Sequence, residues 1–171
     1  MNTIKYPYLP EGRTLKYVDP NNQWMAAAKE FARINSTDRR QPTGAVIVKD
    51  GRIIASAANQ VPLNHPMVAQ FHKNYLCIRR LLKIPSGQKY WLCPGCAGSN
   101  HHAESRAARQ TLSLGNEAVG ADMYLWGHWW ACEPCWNAAI KTGIRDLYVL
   151  EESATLFNPL LPGNIIGKQF E

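Results

Sequence analysis

His102-Ala103-Glu104 is followed, 28 positions after the glutamate, by Cys132-Glu133-Pro134-Cys135. One histidine and two cysteines make three protein ligands. A catalytic zinc typically has three, with its fourth position open to water. Glu104 sits beside that ligand set without belonging to it and is available to move protons. Cys132 and Cys135 are related as i and i+3, which places them on one face of a helix. A helix start also favours thiolate over thiol. His102 in turn precedes a helical pattern over Ala103–Leu114, closed by Gly115. Two helix N-termini are therefore expected to converge on one ion. Zinc lowers the pKa of bound water from about 15.7 to about 7, and Glu104 is the base and acid that serves it. An H-x-E alone is a weak signal, as is one C-x-x-C; each opening a helix, the two together are strong.

Working outward, Asp19-Pro20 reads as a helix entry. Trp24, Ala27, Ala28, Phe31 and Ile34 recur at helical spacing through about Asn35. Ala45-Val-Ile-Val48, Asp50-Gly51 and Arg52-Ile-Ile-Ala55 read as a hairpin on a type I′ turn. Asp122–Trp126 and Leu147–Leu150 are strand candidates, and Pro134–Thr142 is a helix ended by Gly143. The order β-β-α-β-α-β predicts a mixed sheet covered by helices. Residues 60–101 form a long, irregular excursion holding Pro62, Pro66 and Pro85. Such an excursion is functional or carries its own stabilisation. The tail after Phe157 reads as an irregular arm. The whole chain, 1–171, is expected to be one domain with this Cys/His-containing insertion at about 60–101.

Composition sets outer bounds. With 171 residues, 46% hydrophobic and 19% charged, the chain is globular and long enough to bury roughly 70% of its extended surface. No run of 18 apolar residues occurs, so no membrane span is expected. The stretch Met1–Tyr8 lacks the apolar core of a secretory signal, which favours a cytoplasmic setting. A net charge of +6 suits an anionic partner or an ordinary basic surface. Four of the five cysteines fall in two C-x-x-C pairs, a pattern of metal binding more than of disulfides.

H-x-E followed by P-C-x-x-C is a general signature of zinc-dependent base deaminases. From about Trp24 to Leu150 the chain resembles the cytidine and deoxycytidylate deaminase superfamily. Ser36-Thr37…Arg40…Gly44-Ala-Val-Ile-Val-Lys-Asp-Gly51 resembles its first strand and hairpin, and Ile54–Asn59 its second strand. Ala138-Ala-Ile-Lys-Thr-Gly-Ile-Arg-Asp-Leu-Tyr-Val149 resembles its third helix and following strand. Cys77-Ile-Arg-Arg…Ile84-Pro-Ser-Gly87…Tyr90-Trp-Leu-Cys93…His102-Ala-Glu104 is similar to the deoxycytidylate branch. The resemblance implies an α/β fold, three-layer α-β-α with a mixed five-stranded sheet. It also implies zinc, a homo-oligomer, and conversion of dCMP to dUMP with release of ammonia. Asn59 is the position that would bind a sugar hydroxyl, and Ala103, Trp126 and Trp130 are further candidate substrate contacts. The pattern departs at Ala131, where the family has Pro, at Ser56-Ala-Ala before Asn59, and in the long lead-in Leu125-Trp-Gly-His-Trp-Trp-Ala131. Trp126, Trp129 and Trp130 could stack on a base or fill core or an interface.

Cys93-Pro-Gly-Cys96 is flanked by Cys77 and His101. A Cys3His set of this kind would be a closed, structural zinc that orders the long excursion, an addition some deoxycytidylate deaminases resemble. His65 and His72 are alternative ligands from the same segment. Arg79, Arg80, Lys83 and Lys89, or Arg39 and Arg40, could meet a phosphate. Besides a free cytosine nucleotide, two other readings stand. One is a deaminase of cytosine or adenine in single-stranded nucleic acid or tRNA, and the other is a non-catalytic zinc-binding subunit.

Overall fold

The computed structural model describes residues 7–84 and 88–171. The start of the N-terminal stretch, Met1–Tyr6, and the Pro85-Ser-Gly87 of the Ile84-Pro-Ser-Gly87 run lie outside the described residues. In chain order the elements are β1 (Leu15–Val18), α1 (Gln23–Asn35), β2 (Gly44–Lys49), β3 (Arg52–Ala58), α2 (Pro66–Asn74) and α3 (Ile78–Leu81). Two 3-10 turns follow, Tyr90–Leu92 and Ser99–His101. Then come α4 (Ala103–Gln110), a 3-10 stretch Thr111–Ala118, β4 (Asp122–Trp126), α5 (Glu133–Lys141), β5 (Asp146–Leu150) and α6 (Ser153–Leu156).

The five strands form one mixed sheet in the order β1-β5-β4-β2-β3. β1 runs parallel to β5 and β5 to β4, while β2 is antiparallel to both β4 and β3. The β2–β3 turn places Asp50 and Gly51 at φ 48 and 71, as a type I′ turn requires. The inner strands are apolar on both faces because both faces are covered. Ala45, Ile47, Met123, Leu125, Leu147 and Val149 point into a core shared with α4 and α5. Val46, Val48, Tyr124, Trp126 and Leu150 point the other way, against Met25, Ala28 and Ala32 of α1 and against Phe157. The result is the three-layer α-β-α sandwich expected.

Several elements differ from their sequence reading. Helix α1 starts at Gln23, not at Asp19-Pro20. The Asn22 side chain accepts from the amides of Trp24 and Met25 at 3.0 and 3.1 Å, and an N-cap of this strength fixes the start. The buried face is Met25, Ala28 and Ala32, whereas Ile34 is 62% exposed. The helix from Ala103 ends at Gln110 and tightens into the 3-10 stretch, with the Thr111 hydroxyl donating to Ala108 O at 2.7 Å. β1, unread from sequence, supplies the fifth strand. The excursion 60–101 contains two helices and two 3-10 turns rather than irregular chain throughout. Among the described residues no helix is long and apolar enough to cross a membrane.

Candidate active site and metal centres

Helices α4 and α5 pack side by side on one sheet face, and both begin at the same edge of that layer. His102 is the N-cap of α4 and Cys132 the N-cap of α5; neither side chain caps its own helix. Pro134 fits the first turn of α5, where its missing N–H is no loss. These starts bring together His102 Nδ1, Cys132 Sγ and Cys135 Sγ. The two sulfurs lie 3.3 Å apart, and each is 3.6 or 3.5 Å from the imidazole nitrogen. Ligand atoms around a tetrahedral zinc with Zn–S bonds of 2.3 Å are about 3.8 Å apart. The donor set and its spacing therefore fit zinc.

The surroundings prepare the donors. Nε2 of His102 is 3.2 Å from the carbonyl oxygen of Ala97. A carbonyl only accepts, so Nε2 carries the proton and Nδ1 presents its lone pair to a metal. Ser105 donates its hydroxyl to Cys135 Sγ at 3.2 Å. The Cys132 thiol is pulled down to about 5, chiefly by its hydrogen bond with Cys135 and then by that with His102. Glu104 is 4% exposed. Burial pushes its carboxyl above the usual range, while the neighbouring His102 opposes the shift. A raised proton affinity suits a carboxyl that takes up and returns a proton.

A cavity of about 120 Å³ opens onto these groups. Its walls include Asn59, Ala103, Glu104 and Trp130, and also Asp38, Arg79, Tyr90 and His128. Asn59 is buried; its Oδ1 accepts from the Ser36 hydroxyl and the Thr43 amide, and its Nδ2 donates to Gln41 O. One N–H is left for the cavity. Trp126, expected as a substrate contact, is on the opposite sheet face. Side chains alternate along a strand, so Trp126 follows Tyr124 toward α1, where its ring meets Phe157 and Phe170 at 5.3 and 4.9 Å. Of the six basic candidates for phosphate, Arg79 is the one in the cavity wall. Arg40 is committed elsewhere, donating to the carbonyls of His72 and Lys73 at 3.1 and 2.9 Å.

A second donor cluster lies next door. His72, Cys77, Cys93 and Cys96 are all buried, and their ligand atoms lie within 4.8 Å of one another. Cys96 Sγ is 3.6 Å from Cys77 Sγ and 3.4 Å from His72 Nε2, and none of the cysteines is in a disulfide. His101, expected as the fourth donor, is exposed on the Ser99–His101 turn, outside the cluster. The fourth donor is His72, from the C-terminal part of α2. A Cβ on Gly95 would stand 2.3 Å from the His72 ring, so only glycine between Cys93-Pro and Cys96 lets the imidazole close over the turn. Three buried thiols and a buried imidazole make a four-donor set that fits a structural zinc.

His128 is the other residue that sequence reading passed over. Its Nδ1 accepts from the backbone amides of Trp129 and Trp130 at 3.1 and 3.3 Å. Nε2 therefore bears the ring proton and is a donor. Its pKa is pushed down to about 3, first by desolvation and then by His102, so the ring stays neutral.

A histidine and two cysteines at converging helix starts, with a buried glutamate beside them, are a donor set that suits a zinc ion with one position open to water. Residues 19–151 match the family described as the cytidine and deoxycytidylate deaminase zinc-binding region, and the chain belongs to that family. No curated protein matches it. Similar solved structures include a diaminohydroxyphosphoribosylaminopyrimidine deaminase/5-amino-6-(5-phosphoribosylamino)uracil reductase from Thermotoga maritima. It is 23% identical over 74% of this chain with a TM-score of 0.43, and this chain spans 28% of its length. The dCMP deaminase of cyanophage S-TIM5, in complex with dCMP and dUMP, is 20% identical over 74% of this chain and 76% of its own, with a TM-score of 0.46. A tRNA:A34 deaminase is 28% identical over 74% of this chain and 72% of its own, with a TM-score of 0.43.

Proposed function

We propose that the protein hydrolyses the exocyclic amine of a cytosine nucleotide, with dCMP giving dUMP and ammonia. The observation that carries this reading is the position of Glu104. It is a buried carboxyl with raised proton affinity, in the wall of the same cavity as His102 and Cys132. Zinc held by His102, Cys132 and Cys135 would polarise and acidify water. With zinc held there, Glu104 would take one proton from the water attacking C4 and deliver it to ring nitrogen N3. It then carries the second proton to the amine as the C4–N bond breaks. Water thus supplies both hydrogens, one kept on N3 of the uracil product and one leaving in ammonia. A non-catalytic subunit has no use for such a shuttle.

The nucleotide, rather than a base within a strand, is favoured by the small cavity. Assaying dCMP, cytidine and a cytosine-containing oligonucleotide side by side tests the choice. Turnover of dCMP is expected, and turnover of the oligonucleotide alone would overturn it. We further propose that His72, Cys77, Cys93 and Cys96 hold a second, closed zinc. Elemental quantitation should then give two zinc ions per chain, and one would sink the idea.

A further inference from the structure

The two donor clusters share covalent and packing links. Cys96 is followed directly by Ala97, whose carbonyl oxygen holds the Nε2 proton of His102. Cys93 donates its amide to the carbonyl of Tyr90 at 3.1 Å. The Tyr90 ring stands edge-on to the His102 imidazole, with centroids 5.1 Å apart and planes at 88°. Above Tyr90 lies the guanidinium of Arg79, 3.9 Å from the ring centre. Arg79 is on α3, and Cys77 is the N-cap residue of that helix. Three of the four donors in the second cluster are thus within three residues of a group that holds His102 or braces the ring against it.

We propose that the His72/Cys77/Cys93/Cys96 cluster is a positioning device for the catalytic histidine, so that metal occupancy at the two sites is positively coupled. This rests on the second-zinc reading above. The physical reason is economy of order. In a metal-free cluster, the Cys93–Ala97 turn is tied only by hydrogen bonds such as Cys93 O···Cys96 N and Tyr90 O···Cys93 N and by packing, with no ion to clamp the four side chains. Ala97 O and the Tyr90 ring then sample positions that no longer select the Nε2–H tautomer or fix the imidazole plane. Closing four donors on one ion removes that freedom, and His102 meets its own ion with the ordering already done. Outer partners of a metal-bound histidine are worth roughly 10–100-fold in metal affinity. Coupling of binding free energies is reciprocal, so each site gains the same factor from the other.

The test is zinc affinity at the His102/Cys132/Cys135 site, measured by competition with a chelator on the full-length protein. Cys93→Ser should bind one zinc per chain at that site, roughly 10–100-fold more weakly than the wild type. His72→Cys, which keeps four donors of zinc type, should retain two zincs and wild-type affinity. Tyr90→Leu leaves every ligand in place and should weaken the same site. Titration of metal-free wild-type protein with zinc should show positive cooperativity, a readout that stands even if Cys93→Ser fails to fold. Unchanged affinity in Cys93→Ser or Tyr90→Leu, or independent filling of two sites in the wild type, would overturn the coupling. A wild-type protein that binds one zinc in total overturns the second site itself, and the metal count alone distinguishes that result.

Discussion

The hydroxyl of Ser36, just past the end of α1, donates to Oδ1 of Asn59 at 2.6 Å. Asn59 follows β3 directly, and its side chain also ties down Thr43 and Gln41. The residue expected to meet a sugar is therefore also a strut of the cavity wall. Removing it strands buried partners, each at a cost of about 1–3 kcal/mol. Asn59→Ala should lower stability by at least about 1–3 kcal/mol in denaturant unfolding, besides raising KM. A raised KM at unchanged stability would show that the wall does not depend on it.

Ser105→Ala removes the hydroxyl that donates to Cys135 Sγ at 3.2 Å. Metal affinity should fall by about 10-fold, the lower end of the usual effect of an outer partner, with the fold intact. Chelator competition measures it; an affinity equal to wild type would deny Ser105 any part in tuning the thiolate.

His128 presents a neutral N–H to the cavity. His128→Phe should lower kcat/KM for a base with a 2-oxo acceptor by at least about 10-fold, in the range that one hydrogen bond commands, with zinc retained. Equal activity would show that this donor faces no substrate atom.

The same histidine gives a pH effect. Its folded pKa of about 3 lies below the unfolded value of about 6.5. Between those values the unfolded chain binds a proton that the folded chain does not, so stability falls as pH drops from about 6.5 toward 3. Gln at 128 can still accept from the Trp129 and Trp130 amides but does not titrate. His128→Gln should therefore lose less stability than wild type across that window in parallel unfolding curves. Identical pH slopes would contradict this.

What was legible in the sequence was what is local along the chain. His102, Glu104, Cys132 and Cys135 are within three residues of one another in each half, and helix starts dictate their directions. The hairpin announced itself through Asp50-Gly51. The fourth donor of the second cluster did not. Choosing among His65, His72 and His101 depends on how α2 lies over the Cys93–Cys96 turn, and no spacing rule supplies that. Trp126 was misplaced because a tryptophan near a motif looks like part of it, while strand parity sends it to the other face. β1 escaped notice because it is a four-residue edge strand whose middle residues, Lys16 and Tyr17, are exposed, leaving no apolar run to see.

The most direct measurement is ammonia and uracil-nucleotide production from dCMP by the zinc-loaded wild type and by Glu104→Gln, with bound zinc determined on both. The wild type should release one ammonia per dUMP formed. The variant should keep its zinc and lose turnover by at least the 10²–10⁴-fold typical of a general acid–base group. A zinc-loaded wild type that leaves dCMP unchanged, or a Glu104→Gln variant as fast as wild type, would contradict the proposed deamination.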